Sequence, residues 1–168
     1  MRIRPYISAL DFETLRHFSA DARTHALWCA NRFAYPLEQQ NFDSVLAGMA
    51  EEHGECPFMA FADDSTPVGF FCFSLDVSSR EGMLKFVITA PALRGKGYGR
   101  QMLALAAKYA FGCAGAGMLH LNVFTANAPA LCCYTAAGFR ERSTTENAFC
   151  FQEETWGRCN MVLCPDKS

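Results

Sequence analysis

The residues best suited to chemistry form one short segment, 94–100, with the sequence RGKGYGR. Its three glycines leave backbone N–H groups free to approach an anion, because no Cβ atom stands in the way. The run before the segment predicts a strand and the run after it predicts a helix, so the glycines lie at a helix N-terminus, where N–H groups and the helix dipole attract phosphate. Arg94, Lys96 and Arg100 add positive charge. The segment therefore predicts a phosphate-binding loop.

The spacing of this loop excludes the common nucleotide-binding patterns. A Walker A loop needs a serine or threonine after its Gly-Lys pair, whereas Gly97 follows Lys96. A dinucleotide fingerprint needs G-x-G-x-x-G and an acidic residue ~20 positions later. Here the spacing is G-x-G-x-G, and no acidic residue occurs between Glu81 and Glu141. The glycine loop of kinases fails by the same spacing. The loop indicates an anionic ligand other than NAD or a nucleoside triphosphate.

A second group of residues lies on the helix predicted to begin at Asn127. The sequence from 127 to 139 is NAPALCCYTAAGF. Asn127 is a favourable N-cap, and Tyr134 lies two helical turns along the same face. Gly138 followed by the apolar Phe139 is typical of a Schellman ending. From the residues alone, Tyr134 is either a core tyrosine or a catalytic hydroxyl.

Together these two motifs resemble the acetyl-CoA site of the GNAT superfamily of N-acetyltransferases, over about residues 83–140. The family pattern [QR]-x-x-G-x-[GA] is matched by the loop RGKGYGR, which follows the strand FVITAP and precedes the helix QMLALAAKYA. Pro91 and Arg94 occupy the positions that the pattern requires. The segment 127–139 matches N-x-x-A-x-x-x-Y-x-x-x-G-F. The resemblance implies an acetyl-CoA-dependent N-acetyltransferase in which a neutral amine attacks the thioester directly, with no acyl-enzyme.

The resemblance also implies which residues hold acetyl-CoA. Peptide groups of a strand pair with pantetheine much as an added strand would, and main-chain groups of the loop receive the pyrophosphate. Asn127 lies near the pantetheine arm, and Tyr134 protonates the departing thiolate as a general acid. The cofactor-binding residues implied are Val87, Ile88, Thr89, Arg94, Gly95, Lys96, Gly97, Tyr98, Gly99, Arg100, Asn127 and Tyr134. No metal is implied.

One departure from the family concerns the general base. Many relatives carry a glutamate on the strand after the glycine-loop helix, five residues before the capping asparagine, and that position is Asn122 here. An amide is not a useful proton acceptor. His120 shares a strand face with Asn122 and has a suitable ordinary pKa near 6.5, so it is a candidate base, with a structural histidine as the alternative. The absent glutamate favours a second hypothesis, a catalytically inactive sensor or interaction module that binds CoA or acyl-CoA, which Tyr134 and Asn127 oppose.

Charge distribution bears on the acceptor. Residues 1–84 carry six arginines and twelve acidic residues, whereas residues 85–168 carry nine basic and five acidic residues. An acidic acceptor side opposite a basic cofactor side attracts cationic amines, with Glu38, Asp43, Glu51, Glu52 or Glu55 as sources of the acidic groups. We expect a small amine, a polyamine-like molecule or a peptide amine as acceptor. Nucleic acid is disfavoured because the net charge is −2.

Composition and cysteine usage place further bounds. Of the 168 residues, 51% are hydrophobic and 19% charged, which excludes a disordered chain. No apolar run has the length of a signal peptide or of a membrane span. Nine cysteines without a C-x-x-C pair predict buried free thiols in a reducing cytoplasm, with Cys132 and Cys133 in a helical core, rather than disulfides or a zinc site. The sequence leaves a homodimer open.

The elements that must position these residues follow from hydrophobic periodicity. A strand at 2–7 precedes three helices, through DFETLRHF with Ser8 and Asp11 as N-terminal signals, from Asp21, and through NFDSVLAGMAEEHG. A hairpin is predicted next, from the runs PFMAFA and VGFFCFSL. It is followed by the strand MLKFVITA, a helix at about 99–112 and the strand MLHLNVFT. The last predicted elements are a helix from Asn127 and strands near NAFCFQ and CNMVLC. The order predicts one mixed α/β domain over 1–168, a mostly antiparallel sheet with helices on both faces. The acetyl-CoA module spans about 83–140, and the acceptor side comprises mainly 1–82 and the tail.

Overall fold

A computed structural model describes residues 1–165 and contains these elements in the expected order. The bounds are β1 Arg2–Pro5, α1 Ser8–Leu15, α2 Ala22–Cys29, α3 Gln39–His53, β2 Cys56–Phe61, β3 Pro67–Asp76, β4 Glu81–Thr89, α4 Tyr98–Gly112, β5 Met118–Phe124, α5 Ala128–Ala136, β6 Arg140–Phe151 and β7 Glu154–Leu163. A short 3-10 turn, Pro91–Leu93, follows β4. Within residues 1–165, no helix has both the length and the apolarity needed to cross a membrane.

Local end signals explain where most helices begin and end. The Asp21 side chain accepts a hydrogen bond from the Thr24 N–H at 2.8 Å and so caps α2. The predicted Schellman ending of α5 is present: Gly138 has φ +95°, and the Phe139 N–H donates to the Tyr134 carbonyl at 3.0 Å. At α1 the signals act differently from the prediction, because Ser8 does not cap the helix and its hydroxyl contacts Asp43 instead.

The sheet has the order β1-β2-β3-β4-β5-β7-β6, in which only the β4–β5 pair is parallel. Helices α1, α2 and α3 pack on one face, in an aromatic-rich cluster around Phe42 and Phe70. Helices α4 and α5 pack on the other face, around Met102 and Leu121. The mixed α/β class and the helices on both faces are thus confirmed.

The parallel pair opens partway along its length. Residues of β4 and β5 are paired from Glu81 with Met118 to Leu84 with Leu121, and no further. Beyond that point β4 continues to Thr89, whereas β5 continues to Phe124 along β7. Within residues 1–165, the edge of β4 from 85 to 89 that faces β5 therefore has no strand partner, and a gap opens between the two strands. Unpaired peptide groups of this kind can pair with an extended ligand.

A β-bulge lies in β4 at the start of this gap. Ile88 pairs with Phe70 and Lys85 pairs with Cys72, so that two residues, Phe86 and Val87, stand opposite the single residue Phe71. Phe86 has φ +51°, in the left-handed region. Because side chains alternate between faces, an extra residue reverses the alternation beyond it. Beyond the bulge, the side chains of β4 therefore alternate between the two faces of the sheet in the opposite phase. The bulge lies where β4 separates from β5.

The tail strands are longer than the sequence pattern indicates. β6 begins at Arg140, seven residues before the predicted NAFCFQ run, and β7 begins at Glu154, five before CNMVLC. The first part of β6 is exposed throughout and polar, so it lacks the apolar alternation on which the prediction depended. β6 is the edge strand, and register shifts interrupt its pairing with β7 twice, a common way of blunting an exposed edge.

Candidate active site

The glycine loop lies between β4 and α4, as the sequence predicts. Gly95 and Gly97 have φ +73° and +83°, and Gly97 caps α4 without a side-chain hydrogen bond. Space is open around both residues where a Cβ atom would stand. The first N–H groups of a helix have no intrahelical partner, and within residues 1–165 no acceptor fills that role for residues 95–100. The loop thus offers free donors and an unobstructed approach to an anion.

Gly99 brings three elements together behind the loop. A Cβ atom on Gly99 would approach the Cys133 Sγ atom to 3.2 Å and the Thr89 Oγ1 atom to 3.3 Å. Cys133 belongs to α5 and Thr89 ends β4, so the first turn of α4 packs closely against both of the other predicted cofactor elements. The structure therefore brings the strand 87–89, the loop and the helix of Tyr134 to one place.

Arg94 is placed differently from the other cations of the loop. Its guanidinium donates to the Thr89 carbonyl at 3.0 Å and to the Phe18 carbonyl at 2.8 Å. Burial lowers its pKa, with the charge of Asp21 acting in the opposite direction. The side chain thus ties the loop to β4 and to the segment between α1 and α2. All three cations are exposed, but within residues 1–165 no hydrogen bond from the Lys96 or Arg100 side chain matches those of Arg94.

A cavity of about 590 Å³ adjoins the loop on its outer side. Lys96, Tyr98 and Gln101 line it from the loop and the start of α4, and Asp63 and Asp64 line it from the β2–β3 turn. The cavity has room for a group larger than the pyrophosphate, and it carries charges of both signs. It extends the anion-binding loop into a broader recess at the surface.

Asn127 and Tyr134 occupy the positions that the sequence predicts on α5. The Asn127 side chain accepts a hydrogen bond from the Ala130 N–H at 3.3 Å. Tyr134 is only 7% exposed, and the Phe139 ring meets its ring edge-on at 6.0 Å. Within residues 1–165 its hydroxyl has no hydrogen-bond partner. Burial raises the Tyr134 pKa, as does the neighbouring Cys133 to a smaller extent, so the hydroxyl keeps its proton at neutral pH and can donate it.

Trp28 contacts β4, and the sequence gives no indication that it belongs to the site. Its indole N–H donates to the Phe86 carbonyl, in the bulge, at 2.7 Å. Trp28 lies on α2, 58 residues away in sequence. Tryptophan in an apolar helix pattern indicates core packing, and no local signal reveals which carbonyl its N–H will reach.

His120 lines a groove on the α1–α3 face of the sheet. The groove has a volume of about 400 Å³, and its lining includes Met83 and Lys85 of β4, Ser74 of β3 and Glu81. The His120 Nε2 atom lies 3.9 Å from the Glu81 Oε2 atom. Burial lowers the pKa of His120 and Arg142 lowers it further, against an opposing effect of Glu81. At neutral pH the imidazole is therefore unprotonated and able to accept a proton.

Asn122 and Asn160 complete the polar surface beside His120. The Asn160 side-chain amide donates to the Asn122 Oδ1 atom at 2.9 Å and lies 3.3 Å from the His120 Nδ1 atom. Asn122 is exposed, and it shares the strand face of His120. The position of the usual glutamate thus holds an amide oxygen that is already accepting a hydrogen bond.

Two of the five acidic candidates for the acceptor side are already engaged. Glu55 is buried and paired with Lys85, and its Oε2 atom is a buried acceptor without a partner in the described part of the chain. Asp43 accepts hydrogen bonds from the hydroxyls of Tyr6 and Ser8. The remaining candidates, Glu38, Glu51 and Glu52, are exposed.

The cysteine interpretation needs correction. All nine cysteines are free, as expected, but only Cys29, Cys72 and Cys159 are buried. Cys132 is exposed rather than part of a helical core, and Cys133 is half-buried. The outer face of α5 is apolar in composition without being covered by other elements, so hydrophobic neighbours in sequence gave the wrong indication. Among residues 1–165, no group of three or more Asp, Glu, His and Cys side chains could hold a metal ion.

Comparison with known proteins gives one family and one fold. The sequence model of the acetyltransferase (GNAT) family matches residues 19–139. Spermidine N-acetyltransferase from Vibrio cholerae, in complex with CoA and spermine, superposes with a TM-score of 0.80 and 18% identity over 97% of this chain and 94% of that chain. A chimera of the Vibrio cholerae enzyme and hSSAT superposes with a TM-score of 0.79 and 16% identity over 98% and 96%. At these identities the structural likeness shows a common fold.

Proposed function

We propose a role for each part of the active site, on the premise that the chain belongs to the acetyltransferase (GNAT) family. The protein transfers an acetyl group from acetyl-CoA to a primary amine. The observation that carries the assignment of roles is the meeting of three elements at one point: the unpaired edge of β4, the free N–H groups of the glycine loop, and Tyr134 on α5.

The cofactor side binds through backbone groups. The peptide groups of Val87, Ile88 and Thr89 that point to the gap, away from β3, pair with the pantetheine arm as a strand would, and the N–H groups of residues 95–100 receive the pyrophosphate at the start of α4. Lys96 and Arg100 add charge, while Arg94 acts by holding the loop against β4. When bound, acetyl-CoA supplies an activated acetyl thioester. Asn127 caps α5 and so orients the helix that carries Tyr134.

Two side chains move protons. Tyr134 stays protonated because it is buried, so its hydroxyl donates a proton to the sulfur that leaves. His120 is unprotonated at neutral pH because burial lowers its pKa. It accepts the proton of the acceptor amine through water in the groove, which extends along the face of β4 from Glu81 past Met83 to Lys85. N–H groups of β4 polarise the thioester carbonyl.

The acceptor is a cationic amine of the polyamine class. Three observations support this choice: the excess of acidic over basic residues in 1–84, the carboxylates of Asp76 and Glu81 in the groove, and the fold shared with an enzyme whose structure holds spermine. The nine free thiols are those of a protein that works in a reducing compartment such as the cytoplasm. The chain works as one domain, and a homodimer stays open.

Release of free thiol from acetyl-CoA tests the proposal, with a panel of amines. The panel comprises spermidine, spermine, a lysine peptide with a blocked N-terminus, and an anionic amino acid. We expect the polyamines to give the highest kcat/KM and the anionic amine the lowest. Preference for the anionic amine would overturn the acceptor class. Binding of acetyl-CoA without thiol release for any amine would favour the inactive acyl-CoA sensor.

A further inference from the structure

Trp28 is buried in the aromatic cluster under α2, and its indole N–H makes one hydrogen bond to the backbone of β4. The side chain is 9% exposed and packs against Phe33, Phe42 and Phe70. A buried indole N–H needs a hydrogen-bond acceptor. The acceptor used here is the Phe86 carbonyl, at 2.7 Å. A helix of the acceptor side is thereby joined to the one irregular peptide of β4.

Phe86 needs such support because its backbone conformation is unfavourable. A φ of +51° is rare for a bulky L residue, and it persists only where the surroundings impose it. The Phe33 ring packs against the Phe86 ring, with centroids 4.8 Å apart. The ring contact holds the side chain of Phe86, whereas the hydrogen bond from Trp28 holds its carbonyl. The second contact acts directly on the orientation of the peptide plane, between the β3 pairings of Lys85 and Ile88.

The orientation of that plane decides where the next N–H group points. The Phe86–Val87 peptide is trans, since the one cis bond in the described chain precedes Pro36. In a trans peptide the C=O and the following N–H point in opposite directions. With the Phe86 carbonyl held toward Trp28, the Val87 N–H is held away from it, at the start of the gap between β4 and β5.

We propose that Trp28 is a positioning residue for acetyl transfer, an inference that rests on the proposed function. Its indole N–H fixes the Phe86–Val87 peptide, so that the donors of β4 are oriented before the thioester carbonyl arrives. A donor that is already oriented stabilises developing negative charge more than one that must reorient. Trp28 does not touch the reacting atoms. It acts through the β4 backbone.

The chain offers a matched control in Trp156. Trp156 is also buried, at 2% exposure, and its N–H also makes a hydrogen bond, to the Glu154 carboxylate at 2.8 Å. That acceptor lies on the same strand, β7, and contacts no part of β4. Trp156 also packs against α2, through Ala26 and Arg23. Trp156→Phe therefore removes the same chemical group beside the same helix while leaving the hydrogen bond to the Phe86 carbonyl in place, so it controls for disturbance of α2.

The test compares Trp28→Phe with Trp156→Phe, and adds a third protein in which benzothienylalanine replaces Trp28. Benzothienylalanine keeps the bicyclic shape and lacks the N–H. We expect kcat to fall by about tenfold in both position-28 variants, less than for direct loss of a donor, while the Kd for acetyl-CoA stays within a factor of two. Amide hydrogen exchange at 86–88 should be faster in both. Trp156→Phe should match the wild type in both measurements.

Two results would overturn the inference. Unchanged kcat and unchanged exchange at 86–88 in the benzothienylalanine protein would show that ring shape alone matters. An equal loss of kcat in Trp156→Phe would show a general effect of stability. Failure of the proposed function is separate, because it appears as a wild-type protein that releases no thiol, and amide exchange at 86–88 still tests the role of Trp28 in that case.

Discussion

The proposed cofactor side and the proposed acceptor side of this protein are built in different ways. The cofactor side, residues 87–100 and 127–139, uses backbone groups that lie close together in sequence. The acceptor side, α1–α3 with the β6–β7 hairpin, depends on side chains that meet over long distances in sequence: Trp28 and Phe86 are 58 residues apart, and Arg23 and Glu154 are 131 apart. A site made of backbone requires glycines and caps at fixed spacings, and therefore leaves a local sequence pattern. A site made of distant side chains leaves none.

Two side-chain hydrogen bonds link α2 and the segment before it to β4 and the glycine loop. Arg94 connects the glycine loop to the Phe18 carbonyl on the acceptor side, and Trp28 connects α2 to the bulge of β4. Both are hydrogen bonds from a side chain to a backbone carbonyl, that of Trp28 from a buried ring and that of Arg94 from an exposed side chain. If the proposed roles hold, the geometry of the gap depends on Trp28, which lies outside the motifs. The predictions below test the difference between the sides, beginning with the change expected to have the largest effect.

Gly97→Val should abolish binding of acetyl-CoA. Valine is strained at φ +83°, and its branched side chain would enter the space left open for the phosphates. The wild type, at a ligand concentration about 100 times its Kd, should gain about 2.7 kcal/mol of stability, measured as a rise in Tm, and the variant should gain nothing. ATP and NAD should not stabilise either protein.

Gly115→Val is the control for backbone strain alone. Gly115 has φ +77° with open space around it, as at Gly97, but it lies between α4 and β5, outside the glycine loop. This variant should lose intrinsic stability and still respond to acetyl-CoA. An unchanged acetyl-CoA response in Gly97→Val would refute the role of the loop.

Tyr134→Phe should lower kcat by about 10²-fold, the usual scale for a general acid, with little change in the Kd for acetyl-CoA. The change removes only a hydroxyl that has no hydrogen-bond partner within residues 1–165, so the fold should be retained. Tyr109→Phe is the matched control, because Tyr109 is a half-buried tyrosine on α4 that packs against Phe58 and Phe73. Equal kcat values for both variants, with chemistry rate-limiting, would leave Tyr134 a core residue.

The pH profile should show a histidine on the acceptor side. Protonation of His120 removes its ability to accept a proton, so kcat/KM should rise with pH through the His120 pKa, which burial places below 6.5. Two acceptors whose amine pKa values differ by about two units should share this acidic break, and His120→Ala should remove it. If each break instead follows the pKa of its own amine, water alone carries the proton.

The smallest effect should come from the exposed clasp between α2 and the β6–β7 hairpin. Arg23 makes two hydrogen bonds to Glu154, at 3.2 and 2.9 Å, and together with Trp156 it lowers the Glu154 pKa to about 2. Because both side chains are exposed, Glu154→Gln should change the acceptor KM by a fewfold at most and leave the Kd for acetyl-CoA unaltered. The paired exchange Arg23→Glu with Glu154→Arg should restore part of the wild-type KM, because it re-forms the ion pair but removes the carboxylate that accepts the Trp156 N–H. A larger change in acetyl-CoA binding would contradict the separation of the two sides.

The comparison also explains which sequence predictions failed. β6 was predicted too short because the residues from Arg140 to Glu146 are polar, and an exposed edge strand needs no apolar alternation. Cys132 was predicted to be buried because its neighbours are apolar, although no element covers that face of α5. Glu55 was considered for the acceptor and is instead buried against Lys85. In each case the missing information was which surface lies against which.

The sequence by itself determined the order of the elements, the fold class, and the glycine loop with the capped helix α5 that packs near it. These follow from φ preferences, capping and periodicity, which act over a few residues. Only the tertiary structure decided the gap between β4 and β5, the bulge at Phe86, the groove around His120, and the hydrogen bonds of Trp28 and Arg94. Each of these depends on strand register and on contacts between residues far apart in sequence. Such contacts form only when the whole core packs, so no local pattern can specify them.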